Sequence, residues 1–252
     1  MKRVLPYISF TVAVFLLVLC MAAQAATPDN EVKALREIAE QLKKKDWNFD
    51  VDPCANKTSW FTPKLDSRPL YSNSLICNCS NPDGVCHVVE LSIDNNMFSG
   101  TIPHELGKLV NLKNLSLSAN NLTGELPVAL TKLIKLTEFR ISSINCTGRM
   151  ADLFQSWNRL QILEIQASGF EGPIPSSIST LRTLTEPDLS FNRLEGRIPD
   201  LGDLTALEFM YLTSNFLNGT IPEWIKSRDN RFQIDLSYNN LSKHSAPSCR
   251  EN

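Results

Sequence analysis

The sequence lacks the residue patterns that enzymes use. Its three histidines, His87, His104 and His244, are too scattered to form a catalytic triad or a metal site. It has no glycine-rich phosphate loop followed by lysine, and the His-Arg-Asp, Asp-Phe-Gly and Gly-x-Ser-x-Gly motifs of kinases and hydrolases are missing. We therefore predict a chain that is not an enzyme and that holds no metal and no cofactor.

Clusters of basic residues and long apolar runs are scarce as well. The formal net charge is -2, and the longest basic run is the lysine triplet at residues 43–45, which we assign to the solvated last turn of a helix. This composition argues against nucleic acid or anionic lipid as a partner. After residue 26 no apolar run reaches the roughly 20 residues that a spanning helix needs, so we expect no membrane span of its own.

The first 25 residues are typical of a secretion signal. A basic start at residues 1–3 leads into an apolar run from about Ile8 to Met21, which ends in Ala23-Gln24-Ala25. That run of about 14 residues is too short for a membrane anchor. We predict a signal peptide over residues 1–25 and a chain that is secreted or lies at the extracellular face of the plasma membrane.

The remaining cysteines fit an oxidising compartment. Four of them crowd together, at Cys54, Cys77, Cys79 and Cys86. In an exported chain this crowding predicts disulfides, although four cysteines allow three pairings and the sequence does not choose among them. Zinc at the closely spaced middle pair is a weaker alternative, because unprotected thiolates oxidise there. Cys146 takes an apolar position and is predicted to be a buried thiol of low reactivity, and Cys249 is left without an assigned partner.

Potential glycosylation sites are dense. Seven Asn-x-Ser/Thr sequons occur, at Asn56, Asn78, Asn114, Asn121, Asn145, Asn218 and Asn240. The density supports the extracellular assignment.

Glycines recur at a constant interval. Gly100, Gly124, Gly148, Gly172 and Gly196 are 24 residues apart, and Gly219 follows after 23. Around them the same leucine-rich frame returns, most completely as Leu106-xx-Leu109-xx-Leu112-xx-Leu115-x-Leu117-xx-Asn120-x-Leu122-x-Gly124-x-Leu126-Pro127. Such a period makes one coil per repeat, with a short parallel strand in each. We predict an α/β leucine-rich-repeat solenoid of about six to seven coils over residues 88–243.

One asparagine per coil is expected to bond buried backbone groups where the strand turns away. These residues are Asn96, Asn120, Asn192, Asn215 and Asn239. Ile144 and Ser168 depart from that position, and Ala151 replaces a proline. Pro187 stands at an inward strand position, where it predicts a broken hydrogen bond or a bulge. Arg228 and Arg231 replace leucines in the last coil, as expected of a terminal repeat.

The motifs resemble those of a plant family. Gly-Thr-Ile-Pro at residues 100–103 and 219–222 and the Leu-Ser-x-Asn-x-Leu frame are similar to plant-specific leucine-rich repeats. The front end, at residues 31–39, 44–49, 52–54, 77–80 and 85–88, resembles the extracellular start of plant leucine-rich-repeat receptor-like Ser/Thr kinases with a malectin-like ectodomain.

The resemblance implies a cap at residues 26–87, the repeats, and then a malectin-like domain, a membrane span and a kinase, of which this sequence holds only the first two. We expect the cap to begin with a helix that has Thr27 as its N-cap and Pro28 at its first position. Residues 244–252 are read as a tail. A truncated receptor-kinase product with no independent role therefore stays open.

Binding is expected on the concave face, where the strand positions between inward leucines form columns across the coils. The candidate residues are Arg140, Glu164, Asp188, Phe191, Phe209, Tyr211, Asp235 and Tyr238. Carboxylates beside exposed aromatics suit a basic peptide or a sugar. The predicted partners are a peptide, carbohydrate or protein ligand in the apoplast, and a possible co-receptor. A secreted inhibitor of pathogen cell-wall hydrolases is the alternative.

Overall fold

The computed structural model describes residues 26–55, 60, 73–80, 84–150 and 152–242. Several sequence predictions lie outside these residues: the signal peptide, the sequon at Asn56, Ala151, His244, Cys249 and the end of the predicted repeat region at residue 243.

Each coil contributes a short strand and a second strand on the flank, and most coils add a helical turn. In chain order the strands are β1 (Ser74–Asn78), β2 (His87–Ser92), β3 (Ser99–Thr101), β4 (Asn114–Ser116), β5 (Asn121–Gly124), β6 (Glu138–Ser142), β7 (Asn145–Cys146), β8 (Ile162–Gln166), β9 (Glu171–Pro173), β10 (Glu186–Asp188), β11 (Arg193–Gly196), β12 (Phe209–Tyr211), β13 (Phe216–Gly219), β14 (Gln233–Asp235) and β15 (Asn240–Leu241). The helical turns of the coils are 3₁₀ helices at His104–Lys108, Val128–Lys132, Phe154–Ser156 and Ser176–Thr180, and a short α-helix at Glu223–Lys226.

The main sheet runs through all the coils. Its strand order is β1-β2-β4-β6-β8-β10-β12-β14; β1 pairs antiparallel with β2, and the seven later strands are parallel. The leucines of the repeat frame are buried behind it, and the six repeated glycines turn the chain with φ between 77° and 95°. Glycine tolerates this left-handed region without steric cost. The predicted leucine-rich-repeat solenoid is thereby confirmed.

Asparagines that are buried or partly buried hold the turn after most of the main strands. The side-chain amide of Asn120 donates to the carbonyls of Ile93, Leu117 and Ser118, and its oxygen accepts from the Phe98 N–H. The corresponding asparagines of later coils make the same bonds. The predicted role of these asparagines is confirmed, because each one satisfies carbonyls that an apolar side chain would leave unpaired.

Pro187 breaks one side of the ladder without shifting the register. Strand β10 pairs with β8 through three consecutive residues, Pro187 opposite Leu163 included, but with β12 only through Asp188 and Tyr211. The neighbouring pair β12 and β14 aligns three residues. Proline has no N–H to donate toward β12, which accounts for the loss. Of the two predicted outcomes, the broken hydrogen bond is therefore confirmed, and there is no bulge.

The flanking strands form two sheets instead of one. Strands β3, β5 and β7 make a three-stranded sheet, and β9, β11, β13 and β15 make a four-stranded sheet. Only an isolated bridge between Arg149 and Glu171 links the two among the described residues. The solenoid is thus divided on its flank at β7, in the coil where Ile144 replaces the asparagine.

The first coil is covered by helix α1 (Asp29–Leu42), which buries Leu35, Ile38 and Leu42 against it. The prediction of Thr27 as N-cap and Pro28 as first helical residue is wrong, because Pro28 occupies the N-cap position and no side chain caps the helix. The Thr27 hydroxyl donates instead to Asp52, at 2.8 Å. This bond ties the start of the helix to the following loop.

The cap is closed by two disulfides, Cys54–Cys77 and Cys79–Cys86. The lysine triplet does not form the last turn of a helix, as we predicted, because helix α1 ends at Leu42 and Lys43 is its C-cap. The expected solvation is also wrong for Lys44, whose side chain is 1% exposed. Its Nζ donates to both oxygens of Asp46, at 2.8 and 3.0 Å, and lies over the rings of Trp47 and Phe98. The ion pair and the two rings offset part of the cost of burying the charge, but burial outweighs Asp46 and lowers the pKa of Lys44.

Candidate binding surface on the concave sheet

A single column of side chains runs along the middle of the main sheet. The pairing aligns Ser92, Ser116, Arg140, Glu164, Asp188, Tyr211 and Asp235 across seven strands. The buried leucines alternate with this column, so it faces away from the core. Five of the candidate residues, Arg140, Glu164, Asp188, Tyr211 and Asp235, thus share one column, as expected for strand positions between inward leucines.

In the N-terminal half of the column the polar groups bond to one another. Arg140 donates to Glu138 on its own strand and to Glu164 on the next one. Partial burial acts to lower the pKa of Arg140, but these two carboxylates outweigh it and raise the pKa. The charge of Arg140 is thus already neutralised within the sheet, and both carboxylates have a cationic partner.

The serines before Arg140 are engaged in the same way. Asp94 accepts the Ser92 hydroxyl at 3.0 Å and the Ser116 hydroxyl at 2.7 Å, and it also accepts the Ser118 N–H. A groove of about 270 Å³ lies over these strands, and Glu90, Asn114 and Arg140 are part of its lining. The sequence analysis missed this groove, because small serines in a repeat frame carry no signal of their own.

In the C-terminal half of the column two carboxylates flank a tyrosine. Asp188 accepts the N–H and the hydroxyl of Ser190 on its Oδ1, at 2.9 and 2.5 Å. Asp235 repeats the arrangement with Ser237, at 2.9 and 2.6 Å. The same turn in both coils fixes the two side chains in the same orientation. Neither Oδ2 has a partner among the described residues, so each carboxylate keeps one oxygen for a ligand.

Tyr211 lies between the two carboxylates, one strand from each. At a strand spacing of about 4.8 Å, Asp188 and Asp235 are separated by roughly 10 Å. Strands β10, β12 and β14 carry no lysine or arginine, while Glu186 adds a further exposed carboxylate. This stretch of the sheet is therefore anionic and has an aromatic ring at its centre.

The other predicted aromatics surround this stretch but do not all lie on strands. Phe209 is on β12, and it also lines a groove of about 600 Å³ at the edge of the last coil, together with Arg228 and Phe232. Phe191 and Tyr238 lie in the turns after β10 and β14, with φ of 56° and 54°, and are 54% and 83% exposed. Phe191 and Tyr238 thus lie at the rim of the sheet. The repeat frame alone did not show which aromatic residues lie on a strand and which lie in the turn after it.

The sequence analysis also missed the buried carboxylate that joins the cap to the repeats. Glu31 of helix α1 has a side chain that is 2% exposed, and its oxygens lie 2.7 Å from His87 Nδ1 and 2.9 Å from the Val88 N–H. The Asn111 amide donates to the same carboxylate at 3.2 Å. Its helical position offered a hint, because Glu31 precedes the buried Ala34 and Leu35 by one turn.

The sequons fall on two different faces. Asn121, Asn145, Asn218 and Asn240 are exposed on strands of the flanking sheets. Asn114 lies on β4 of the main sheet, and Asn78 lies on β1. Within the part of the chain that is described, no group of His, Cys, Asp or Glu side chains is arranged to hold a metal ion, and no helix is long and apolar enough to cross a membrane.

Comparisons with known proteins agree with this architecture. The Leucine Rich Repeat family model matches residues 87–109, 111–133 and 206–227. A probable leucine-rich-repeat receptor-like serine/threonine-protein kinase of Arabidopsis thaliana is 36% identical over 85 residues, which is 33% of this chain. The chain covers 8% of that relative's length.

Solved structures extend the similarity to most of the chain. A plant ice-binding protein superposes with a TM-score of 0.71 and 27% identity, over 86% of this chain and 65% of that chain. Pollen Receptor Kinase 3 superposes with a TM-score of 0.67 and 25% identity, over 87% of this chain and 99% of that chain. The Arabidopsis receptor kinase HAESA was solved in complex with the peptide hormone IDA and the co-receptor SERK1. It superposes with a TM-score of 0.54 and 25% identity, over 85% of this chain and 42% of that chain.

Proposed function

Because the chain is a leucine-rich-repeat protein homologous to plant receptor-like kinases, we propose that it is an extracellular recognition module that binds an extended, positively charged peptide. The proposed site is the C-terminal half of the concave sheet, centred on Tyr211 between Asp188 and Asp235. The two open carboxylate oxygens beside that ring are the observation that carries the proposal.

The chemistry of this site favours a cation. A lysine or arginine side chain placed over Tyr211 gains a cation–π contact and is within reach of a carboxylate on either side. Arginine fits best, because its planar guanidinium stacks on a ring and presents a fork of donors to a carboxylate. An anionic ligand would meet uncompensated charge at the same place.

The shape of the site favours an extended chain. The column crosses the strands, so a ligand that follows it meets one coil every 4.8 Å or so. Three coils offer room for a few extended residues, at about 3.3 Å each. Phe191 and Tyr238 at the rim and Phe209 on β12 add apolar surface along one side of that path.

The relatives support a peptide ligand and a place outside the cell. HAESA, which has the same fold, was solved with a peptide hormone and a co-receptor. By analogy, the proposed module acts in the apoplast, as a secreted protein or at the outer face of the plasma membrane, and a co-receptor joins the complex.

Selection from a random peptide library tests the charge of the ligand. Random 12-residue peptides displayed on phage are panned on the secreted, disulfide-bonded protein, and the enriched peptides are synthesised. We expect enrichment in arginine and lysine over the starting library. Enrichment of acidic or neutral peptides would contradict the proposal.

Variants then locate the site. Calorimetry with an enriched peptide should show at least a tenfold loss of affinity for Tyr211→Ala, because a central aromatic anchor typically contributes more than about 1.4 kcal/mol. Ser92→Ala, in the same column of the N-terminal half, is the matched control and should bind within twofold of the wild type. Equal affinities for all three proteins would move the site away from Tyr211.

A further inference from the structure

Two groups of asparagines in the described chain differ in their hydrogen bonding. The first group, the asparagine ladder, is buried in the turns after the main strands, where the amide nitrogens of Asn120, Asn192 and Asn215 each donate to three carbonyl oxygens. In five sequons the amide nitrogen donates no hydrogen bond to any described residue: Asn114, Asn121, Asn145, Asn218 and Asn240. The second group can be modified at nitrogen without loss of a structural bond.

Asn114 differs from the other four by its place. Those four are exposed on the flanking sheets, whereas Asn114 lies on β4 in the main sheet. It is half-buried, between Glu90 on β2 and Glu138 on β6 in the register of the strands. It also lines the groove of about 270 Å³ over the N-terminal half of the concave face.

We propose that Asn114 carries an N-linked glycan that fills this groove and covers the N-terminal half of the concave sheet. The glycan confines macromolecular ligands to the C-terminal half. Only this last consequence rests on the proposed binding function; the modification and the closure of the groove stand on the geometry of Asn114.

The chemistry is compatible with the fold. The amide nitrogen of Asn114 bonds to the anomeric carbon of a sugar, the bond from that carbon to a lipid-linked pyrophosphate breaks, and the amide loses a proton. The product keeps its side-chain oxygen as an acceptor. The Thr137 hydroxyl, which donates to that oxygen at 3.1 Å, therefore retains its bond after glycosylation.

The ladder asparagines give the opposite result. A sugar on the nitrogen of Asn120 would remove donors from the carbonyls of Ile93, Leu117 and Ser118, which are buried or partly buried. Buried carbonyls that are left without a donor destabilise the folded state. The fold therefore leaves Asn114 as the asparagine at the concave groove that can carry a glycan.

Occupancy is measured first, on the full chain secreted from plant cells. Glycopeptide mass spectrometry of the folded protein should find a glycan on the peptide that contains Asn114. An unmodified Asn114 in the secreted protein would overturn the proposal.

Coverage is measured by thiol labelling, without any ligand. Ser92→Cys places a thiol in the groove, in a background where Cys249→Ser removes a thiol outside the described residues; Cys146 is buried. We expect a polyethylene-glycol maleimide to label this thiol at least tenfold faster in Asn114→Gln than in the glycosylated protein. Asn121→Gln, which removes a sequon from the flanking sheet, is the matched control and should leave the rate unchanged.

A second variant controls for misfolding of Asn114→Gln. Ser116→Ala removes the same sequon and leaves Asn114 and its bond from Thr137 in place, so it should label as fast as Asn114→Gln. Equal labelling rates with and without the glycan would show that the groove is open and would overturn the coverage. Because no peptide is used, such a failure leaves the proposed peptide site standing.

Discussion

The two halves of the concave sheet use their charged side chains in opposite ways. In the N-terminal half Arg140 is paired with Glu138 and Glu164, and Asp94 is occupied by serines. In the C-terminal half Asp188 and Asp235 each hold a turn with one oxygen and leave the other open. Charges that are balanced inside the sheet add rigidity, whereas charges left open are available for recognition. The proposed binding of a cationic peptide to the C-terminal half rests on this difference.

The largest expected effect tests whether the C-terminal half depends on the buried asparagine ladder. Asn192→Ala removes donors from the carbonyls of Ile165, Leu189 and Ser190, and an acceptor from the N–H groups of Ser168 and Phe170. We expect a loss of about 3 kcal/mol in the free energy of unfolding. Urea denaturation measures it.

Ser168→Ala is the control for that loss, because Ser168 stands at the ladder position at the junction of the halves. Its hydroxyl donates to the carbonyls of Ile141 and Gln166, at 3.1 and 2.8 Å. We expect Ser168→Ala to lower the free energy of unfolding by about 1 kcal/mol, because fewer bonds are lost. A loss equal to that of Asn192→Ala would contradict the dependence on the asparagine.

The second effect concerns the pairing of Arg140. Arg140→Met leaves Glu138 and Glu164 without their cation, and we expect a loss of about 1 kcal/mol in the free energy of unfolding, because the three side chains are partly exposed. The triple variant with Glu138→Gln and Glu164→Gln should recover most of it. Arg182→Met, from the exposed pair with Asp203, is the control and should cost less than about 0.5 kcal/mol. No recovery in the triple variant would mean that Arg140 acts through packing.

Much of the arrangement of the concave sheet was predictable from the sequence, because the sequence is built of regular repeats. The 24-residue period fixes which residues share a column, so the alignment of Asp188, Tyr211 and Asp235 followed from counting. The period does not determine what a side chain bonds to within its column. The pairing of Arg140 with two glutamates and the position of Phe191 at the rim depend on rotamers and turn geometry, which the period leaves free.

The cap was less predictable, because no repeat constrains it. The burial of Lys44 and Glu31 results from contacts with Phe98 and His87, which are far apart in the sequence. The disulfide pairing depends on the antiparallel strand β1, which a single sequence gave no means to place. Local signals also competed: Thr27 has the chemistry of an N-cap, but Asp52 accepts its hydroxyl instead.

A third and smaller effect is the acid sensitivity of the cap that closes the N-terminal half. Partial burial acts to raise the pKa of Asp52, but hydrogen bonds from Thr27, Cys54 and Ala55 outweigh it and hold the pKa below its usual range. The stability from this carboxylate is therefore present above the ordinary pKa of about 3.9 and is lost as the pH falls below it.

Asp52→Asn should reduce the difference in unfolding free energy between pH 6 and pH 3. The neighbouring exposed residue, in Asp50→Asn, is the control and should leave that difference unchanged. An undiminished difference in Asp52→Asn would show that another group carries the acid sensitivity.

The smallest effect concerns the flank of the N-terminal half, where β7 ends the three-stranded flanking sheet. Burial raises the pKa of the Cys146 thiol on that strand to about 12. At pH 8 about one molecule in ten thousand then carries the thiolate, and we expect iodoacetamide to leave Cys146 unlabelled in the folded protein over hours. Labelling at the rate of the thiol in Ser92→Cys, measured in the Asn114→Gln background, would show that the flank opens at β7.

The most direct test of the account is the affinity of a selected cationic peptide, measured at two salt concentrations for three proteins. We expect the double variant Asp188→Asn, Asp235→Asn to bind at least tenfold more weakly than the wild type at low salt, with an affinity that depends less on salt. Glu90→Gln, which removes a carboxylate from the N-terminal half, should bind as the wild type does. Equal affinity for the double variant, or a larger loss in Glu90→Gln, would contradict the division of the concave sheet.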